Sequence, residues 1–106
     1  MFKSGGYNVY PREIEAVIER HPNVAFVTII PIPDETWQEV GKAFIMPVPG
    51  TEIKEEELRE LCRKHLANYK VPKEFEVRPF LPLLPTGKIN RLALVEEEKK
   101  KREGRA

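Results

Sequence analysis

Cysteine, histidine and net charge are all scarce in this chain. It has one cysteine and two histidines, and its 18 Lys+Arg against 17 Asp+Glu leave a net charge of +1. A lone cysteine excludes an internal disulfide framework and a multi-thiolate metal site. The balanced charge removes any global electrostatic reason to expect nucleic acid or an anionic membrane as partner. No apolar run approaches transmembrane length, and the N-terminus lacks the charged-then-apolar pattern of a signal peptide. A cytoplasmic setting without membrane insertion is therefore expected. Proline, by contrast, is abundant. Its 10 copies in 106 residues are about double the usual share, so helices are expected to be few and short. The length suits one domain with a modest core.

The chain shows no internal repeat and no break in composition. Residues 3–8 form a glycine-bearing loop entering a short extended piece. Pro11 fits the first position of a helix whose apolar face is Ile14, Val17 and Ile18, and His21-Pro22 closes it. The β-branched run 24–32 reads as a buried strand. Pro33-Asp34-Glu35 turns the chain into a second strand over 38–48, which Pro49-Gly50 ends. A second helix is expected over about 54–68, with Leu58, Leu61, Cys62 and Leu66 on one face. Glu55–Arg59 and Glu60–Lys64 are i,i+4 pairs on it. Residues 74–78 alternate as a short strand, and 79–87 form a proline-rich loop. A last helix starts near 89. Its end, EEEKKKREGRA, has no apolar face and is expected to fray. With few strands and no βαβ alternation, the pattern predicts a small single α+β domain. About three helices cover a short three-stranded, mainly antiparallel sheet.

Two segments do not look like scaffold. In KSGGYNVYP (3–11), two glycines allow positive φ or close approach to a ligand, with Lys3 beside them. In LPTGK (84–88), a Thr-Gly turn on a proline-flanked loop holds Lys88, which can present a cation to an oxyanion or phosphate. Taken alone each is weak: Gly-Gly before a helix is commonly just a turn, and an exposed lysine is commonly solvated surface. The stretch is not a Walker loop, because GxxxxGK[ST] spacing is absent.

Four motifs occur in order: KSGGYNVYPREIEAVIERHPNV, PIPDETWQEVGKAF, YKVPKEF and LPLLPTGKINR. Together they resemble the C-terminal domain of the adenylate-forming, AMP-binding superfamily, and acyl-CoA synthetases most of all. The likeness covers residues 1–95 as a lid domain, leaving 96–106 as a charged tail. It implies a two-step ligase. A carboxylic acid attacks the α-phosphate of Mg·ATP to give acyl-adenylate, and CoA then displaces AMP to give the thioester. It further implies that the small domain alternates between two orientations over a large N-terminal domain. Lys88, on the loop with Thr86 and Gly87, would serve adenylation. Lys3, Ser4, Gly5, Gly6 and Tyr7 would line the CoA pantetheine side. Mg²⁺ would be held mainly by the large domain, and no metal is expected here. The large domain lies outside this sequence, so the chain alone is expected not to be a competent ligase, whether excised or encoded alone. The alternative is a stand-alone binding or regulatory module that docks on a separate adenylation subunit.

Other residues have plainer readings. Trp37 is expected to pack structurally at a turn between strands. His21 and His65 sit near helix C-termini with no partner at metal spacing, and Cys62 is a small core residue. Glu13 and Glu15 are two apart and do not share a helix face; the resemblance makes them mainly structural. Lys42 and Lys70, near turns, are candidates for contacts with CoA phosphates. The basic residues of 99–105 are offset by neighbouring glutamates, so a solvated helix end is favoured over nucleic-acid binding.

Overall fold

The computed structural model describes residues 1–103. Its elements run β1 (Phe2–Ser4), β2 (Tyr7–Val9), α1 (Pro11–Ile18), β3 (Val24–Asp34), β4 (Gln38–Pro47), α2 (Glu55–His65), β5 (Glu74–Val77) and α3 (Arg91–Glu103), with a 3-10 turn at Asn68–Lys70. The class is α+β with three helices, as the sequence indicates. The sheet, however, has five strands in place of the expected three, in the order β2-β1-β4-β3 with β5 also on β4. The added pair, β1 and β2, flanks Gly5-Gly6, and strands of three residues are too short to show an alternating pattern. A second correction concerns connectivity. β5 runs parallel to β4, so β4-α2-β5 is a βαβ crossover: the helix carries the chain back across the sheet before it pairs again.

The long β3–β4 ladder places Val27 opposite Ile45 and Ile29 opposite Ala43, and these side chains meet Ile14, Val17 and Ile18 of α1 and Leu58 and Cys62 of α2. The alternate residues Ile30, Ile32, Val40 and Phe44 pack on the other face with Leu81 and Leu94. Helices on both faces explain why β3 reads as a continuous apolar run instead of an alternating one. Each helix forms for local reasons. Pro11 opens α1 with its orphan N–H already missing. In α2, Glu55, Glu56 and Glu57 lie at the N-terminus and Arg63, Lys64 and His65 at the C-terminus, complementing the helix dipole. The expected i,i+4 ion pairs of α2 do not form among the described residues. Arg59 instead covers the Phe75 ring at 5.1 Å, and Glu60 accepts from Arg63 at 3.0 Å.

Among the described residues no strand pairs with the outer edge of β3. Pro31 and Pro33 share the backbone parity of Ile29, so the edge offers no N–H at those positions. At Ile29 both outward-facing backbone groups are occupied. Its N–H donates to Glu15 Oε2 at 3.0 Å, and its carbonyl accepts from Arg91 Nη2 at 2.6 Å. Proline and side-chain capping together blunt an edge that would otherwise template another chain.

The charged end of α3 departs furthest from expectation. The helix continues to Glu103, and Glu98 is only 4% exposed; Gly104, Arg105 and Ala106 lie outside the described residues. The inward face looked absent because the residue it buries is a glutamate. Lys42, 3% exposed, rises from β4 beneath α3. Its Nζ lies 2.9 Å from Glu98 Oε2, 3.2 Å from Glu76 Oε1 and 3.6 Å from Glu74 Oε1. Arg102 closes the cluster at 3.1 Å from Glu74 and 3.2 Å from Glu98, and Arg78 pairs with Glu76 and Glu97. Burial alone would lower the Lys42 pKa, but hydrogen bonds to Glu98 and Glu76 outweigh it and raise the pKa. Burial likewise opposes ionisation of Glu76, and hydrogen bonds from Arg78 and Lys42 reverse it, leaving the pKa below 4.5.

Lys42→Met strands the Glu98 carboxylate with Arg102 as its one remaining partner. It should cost about 3 kcal/mol in urea unfolding, the lower end for breaking a buried pair. Lys42→Met combined with Glu98→Leu should recover most of that, because no charge is then left buried without its partner. A pH dependence follows from the same cluster. The Glu76 carboxyl is held low in the fold, as is that of Glu97 through its hydrogen bond from Arg78. Their stabilisation is complete above the unfolded value and is lost as pH falls through the folded value. Urea midpoints should therefore hold steady near neutrality and decline below about pH 4.5.

Candidate functional site

Gly5 and Gly6 form the two-residue loop of the β1–β2 hairpin, with Ser4 opposite Tyr7. Both have positive φ, +56° and +87°, the combination a tight hairpin with right-handed twist requires. Their surroundings differ. A Cβ on Gly5 would come within 2.4 Å of Trp37 Cε3, whereas one on Gly6 would meet nothing within 4 Å. Gly5 also donates its N–H to the Trp37 carbonyl at 2.7 Å. Trp37 is thus the floor of this hairpin, in keeping with its structural reading. Asp34 Oδ2 fixes it by accepting from the Thr36 and Trp37 amides at 3.0 and 2.8 Å. Tyr7 stacks on Tyr69 with ring centroids 4.5 Å apart, and the Lys73 ammonium lies 5.7 Å from the Trp37 ring centre. Tyr69 and Lys73 belong to this cluster and were not singled out from sequence. The signal available was the YKVPK stretch, which carries no periodicity. Lys3 is exposed on β1 and Ser4 is buried.

Lys88 sits in a second hairpin. The Gly87 N–H donates to the Leu84 carbonyl at 2.8 Å, the Leu84 N–H donates to the Lys88 carbonyl at 2.7 Å, and Leu83 bridges Ile89. Pro85 occupies the second turn position, which suits its fixed φ. Gly87 follows at φ +88°, where a Cβ would be strained. Pro85, Thr86, Gly87 and Lys88 are all exposed, so the lysine stands at a stiff tip. Gly87, Lys88 and Ile89 share an open groove of about 380 Å³ with Arg12, Glu15 and Glu19 of α1 and Phe26, Val27 and Thr28 of β3.

The two hairpins do not meet. The glycine hairpin adjoins the β3–β4 turn, while Lys88 adjoins the start of β3. The six residue steps of strand from Thr28 to Asp34 span roughly 20 Å. The other candidates resolve as scaffold. Lys42 is buried among carboxylates, which removes it from the candidates for CoA phosphate; its place mid-strand on the α3 face, not near a turn, is the reason. Lys70 is engaged by Glu13 at 2.8 Å, and Glu15 caps Ile29. The His21 Nδ1 accepts from the Asn23 amide at 3.1 Å, which leaves Nε2 to donate to Glu57 at 3.0 Å. His65 Nδ1 accepts from Arg20 at 3.2 Å. Both histidines therefore join α1 to α2. Burial pushes the Cys62 thiol up to about 11. Among the described residues no group of three His, Cys, Asp or Glu could hold a metal ion, and no helix is long and apolar enough to cross a membrane.

The unequal glycines give a direct test. Gly5→Ala combines positive φ, about 1–2 kcal/mol, with a collision against Trp37, whereas Gly6→Ala meets only the first penalty. Gly5→Ala should therefore lower stability clearly more than Gly6→Ala in urea unfolding. The emission of Trp37, the chain's one tryptophan, should shift in the native state of Gly5→Ala only.

The AMP-binding enzyme C-terminal domain family matches residues 13–88. The long-chain-fatty-acid–CoA ligase of Bacillus subtilis (strain 168) is 42% identical over 95 residues, covering 90% of this chain and 17% of its own length. The feruloyl-CoA synthase of an Amycolatopsis species is 44% identical over 89 residues, covering 84% of this chain and 18% of its own. Among solved structures, a Mycobacterium tuberculosis fatty acyl CoA synthetase aligns at TM-score 0.83 and 42% identity, over 92% of this chain and 19% of that one. ATP-bound MatB from Rhodopseudomonas palustris aligns at TM-score 0.86 and 30% identity, over 93% and 20%. The chain thus spans about a fifth of the length of these relatives. On the family match together with relatives of this identity, the chain belongs to the AMP-binding enzyme C-terminal domain family.

Proposed function

We propose that this chain is the mobile lid of an ATP-dependent acyl-CoA ligase, working over a large adenylation domain supplied by the same or a separate chain in the cytoplasm. Lys88 is its catalytic residue for adenylation. The Lys3–Tyr7 hairpin, through Gly5 and Gly6, is its surface toward CoA. The observation that carries the reading is the presentation of Lys88: an exposed ammonium at the tip of a turn stiffened by Pro85 and closed by backbone hydrogen bonds. When a carboxylate attacks the α-phosphate of ATP, negative charge gathers on the phosphoryl and carboxyl oxygens. A preplaced cation in a site closed to water lowers that barrier. Thr86 and Gly87 serve by setting the turn. Mg²⁺ accompanying ATP is assigned to the large domain.

The roughly 20 Å of strand between the two hairpins supports alternation, since a single orientation cannot bring both to one reaction centre. The glycine hairpin suits the second step. Gly6 presents backbone with open space above it, a wall against which a narrow pantetheine arm can lie. On this reading the chain alone does not complete a turnover, because nothing in it binds the acyl group. The docking-module alternative requires no particular residue at position 88.

In the ligase formed with its large domain, Lys88→Ala should lower carboxylate-dependent pyrophosphate exchange about 10²–10³-fold. Thioester formation from supplied acyl-adenylate should be largely spared. Equal losses in the two half-reactions would remove the proposed role. An unaffected exchange rate would favour the docking module.

A further inference from the structure

The backbone hydrogen bonds of the 83–89 hairpin fix its internal shape but not its direction relative to the sheet. Residues Leu83 through Lys88 are exposed, so packing does little to aim them. At the base of the hairpin Ile89 packs against the core cluster of Leu81 and Leu94, and the polar tie to the body is made by Arg91. Its Nη2 donates to the Ile29 carbonyl at 2.6 Å, on the outer edge of β3. The N–H of that residue is held by Glu15 of α1 at 3.0 Å. Two helices, α1 and α3, thus converge on one residue of a strand whose outer edge no other strand pairs among the described residues. Asn90, between Lys88 and Arg91, stiffens the join: its N–H donates to the Pro82 carbonyl at 2.8 Å and its Oδ1 accepts from the Ala93 amide at 3.1 Å. Arg91 lines the same groove as Lys88 and makes no ion pair among the described residues.

We propose that Arg91 is a positioning residue for Lys88: its guanidinium, anchored on the Ile29 carbonyl, aims the hairpin and thereby sets where the Lys88 ammonium arrives. The kinetic consequence rests on the adenylation role of Lys88; the anchorage does not. A guanidinium suits the task because it is a planar donor that keeps its charge and loses little freedom on bonding. Glu15 holds the N–H of the same residue, so Ile29 cannot follow the hairpin if the hairpin drifts.

Two experiments separate the layers. In the chain as it stands, Arg91→Gln should make the Leu84 and Asn90 amides exchange about tenfold faster, as local opening becomes easier, while those of Ala43 and Ile45 stay as they were. Unchanged hairpin amides would overturn the anchorage. In the ligase formed with its large domain, Arg91→Gln should lower pyrophosphate exchange about 10²-fold, the scale of a small misplacement of a reacting group. It should leave thioester formation from supplied acyl-adenylate intact, and Arg91→Lys should recover most of the loss. In a Lys88→Ala background Arg91→Gln should add nothing further, because it acts through a group already removed. Additive losses, or equal losses in both half-reactions, would reduce Arg91 to general scaffold and overturn the proposal. So would a silent Arg91→Gln alongside a selective Lys88→Ala. If Lys88→Ala is itself unselective, the adenylation reading fails, and amide exchange alone decides whether Arg91 anchors the hairpin.

Discussion

Lys42 leaves the middle of β4 on the face that α3 covers, and its ammonium must find carboxylates there or not be buried at all. Glu76 and Glu74 reach it from β5, and Glu98 reaches it from α3. The cost of removing these charges from water is repaid only when all partners are in place. The cluster therefore specifies a single seat for the last helix. That seat has a consequence upstream in the chain. The Lys88 hairpin is the segment leading into α3, so a helix free to slide on the sheet would carry the hairpin with it. Leu81 and Leu94 add apolar contact beside the cluster, but apolar contact alone is tolerant of register. The ion cluster is not.

The two hairpins meet the same need for rigidity by different means. The glycine hairpin is held from below by a large ring: Trp37 leaves no room for a Cβ at Gly5, and the Tyr7–Tyr69 stack steadies one flank. The lysine hairpin has no such floor. It depends on backbone bonds, Pro85 and the reach of Arg91 to the β3 edge. A surface that a slender ligand would slide along benefits from having no side chain. On the proposed reading, a charge that enters another domain benefits from standing clear of its own. Both demands are satisfied at opposite ends of one antiparallel ladder, which makes the sheet a rigid arm between them.

Much of this was legible in sequence where the signal is local. Pro11 with Ile14, Val17 and Ile18 marked α1, and the β-branched run marked β3. LPTGK marked the turn that presents Lys88. The misses share a cause. The strands on either side of Gly5-Gly6 are too short for periodicity to register, so a hairpin read as a loop. β5 was recognised, but its parallel partner was not, because strand direction depends on where the crossover helix lands. The i,i+4 pairs of α2 were legible as spacing, yet Arg59 found the Phe75 ring instead. Lys42 was placed near CoA phosphates because a lysine is ordinarily solvated, although Val40 and Phe44, two residues to either side on the same strand face, are both buried.

The sequence by itself determined the bounds of α1, the apolar stripes of α1 and α2, and the two unusual turns. These follow from each residue's own φ preferences and from the spacing of its near neighbours. It also carried a family likeness through the order of its motifs. Only the tertiary structure decided which charges are buried, which residue of β3 has both its outward backbone groups capped, and that the two turns lie far apart. Glu98 and Lys42 stand 56 residues apart, and Arg91 and Ile29 stand 62 apart. Pairings of that kind are set by how the layers close on each other. The free energy of a buried charge or a capped strand edge depends on its partners in space, and no local pattern encodes them.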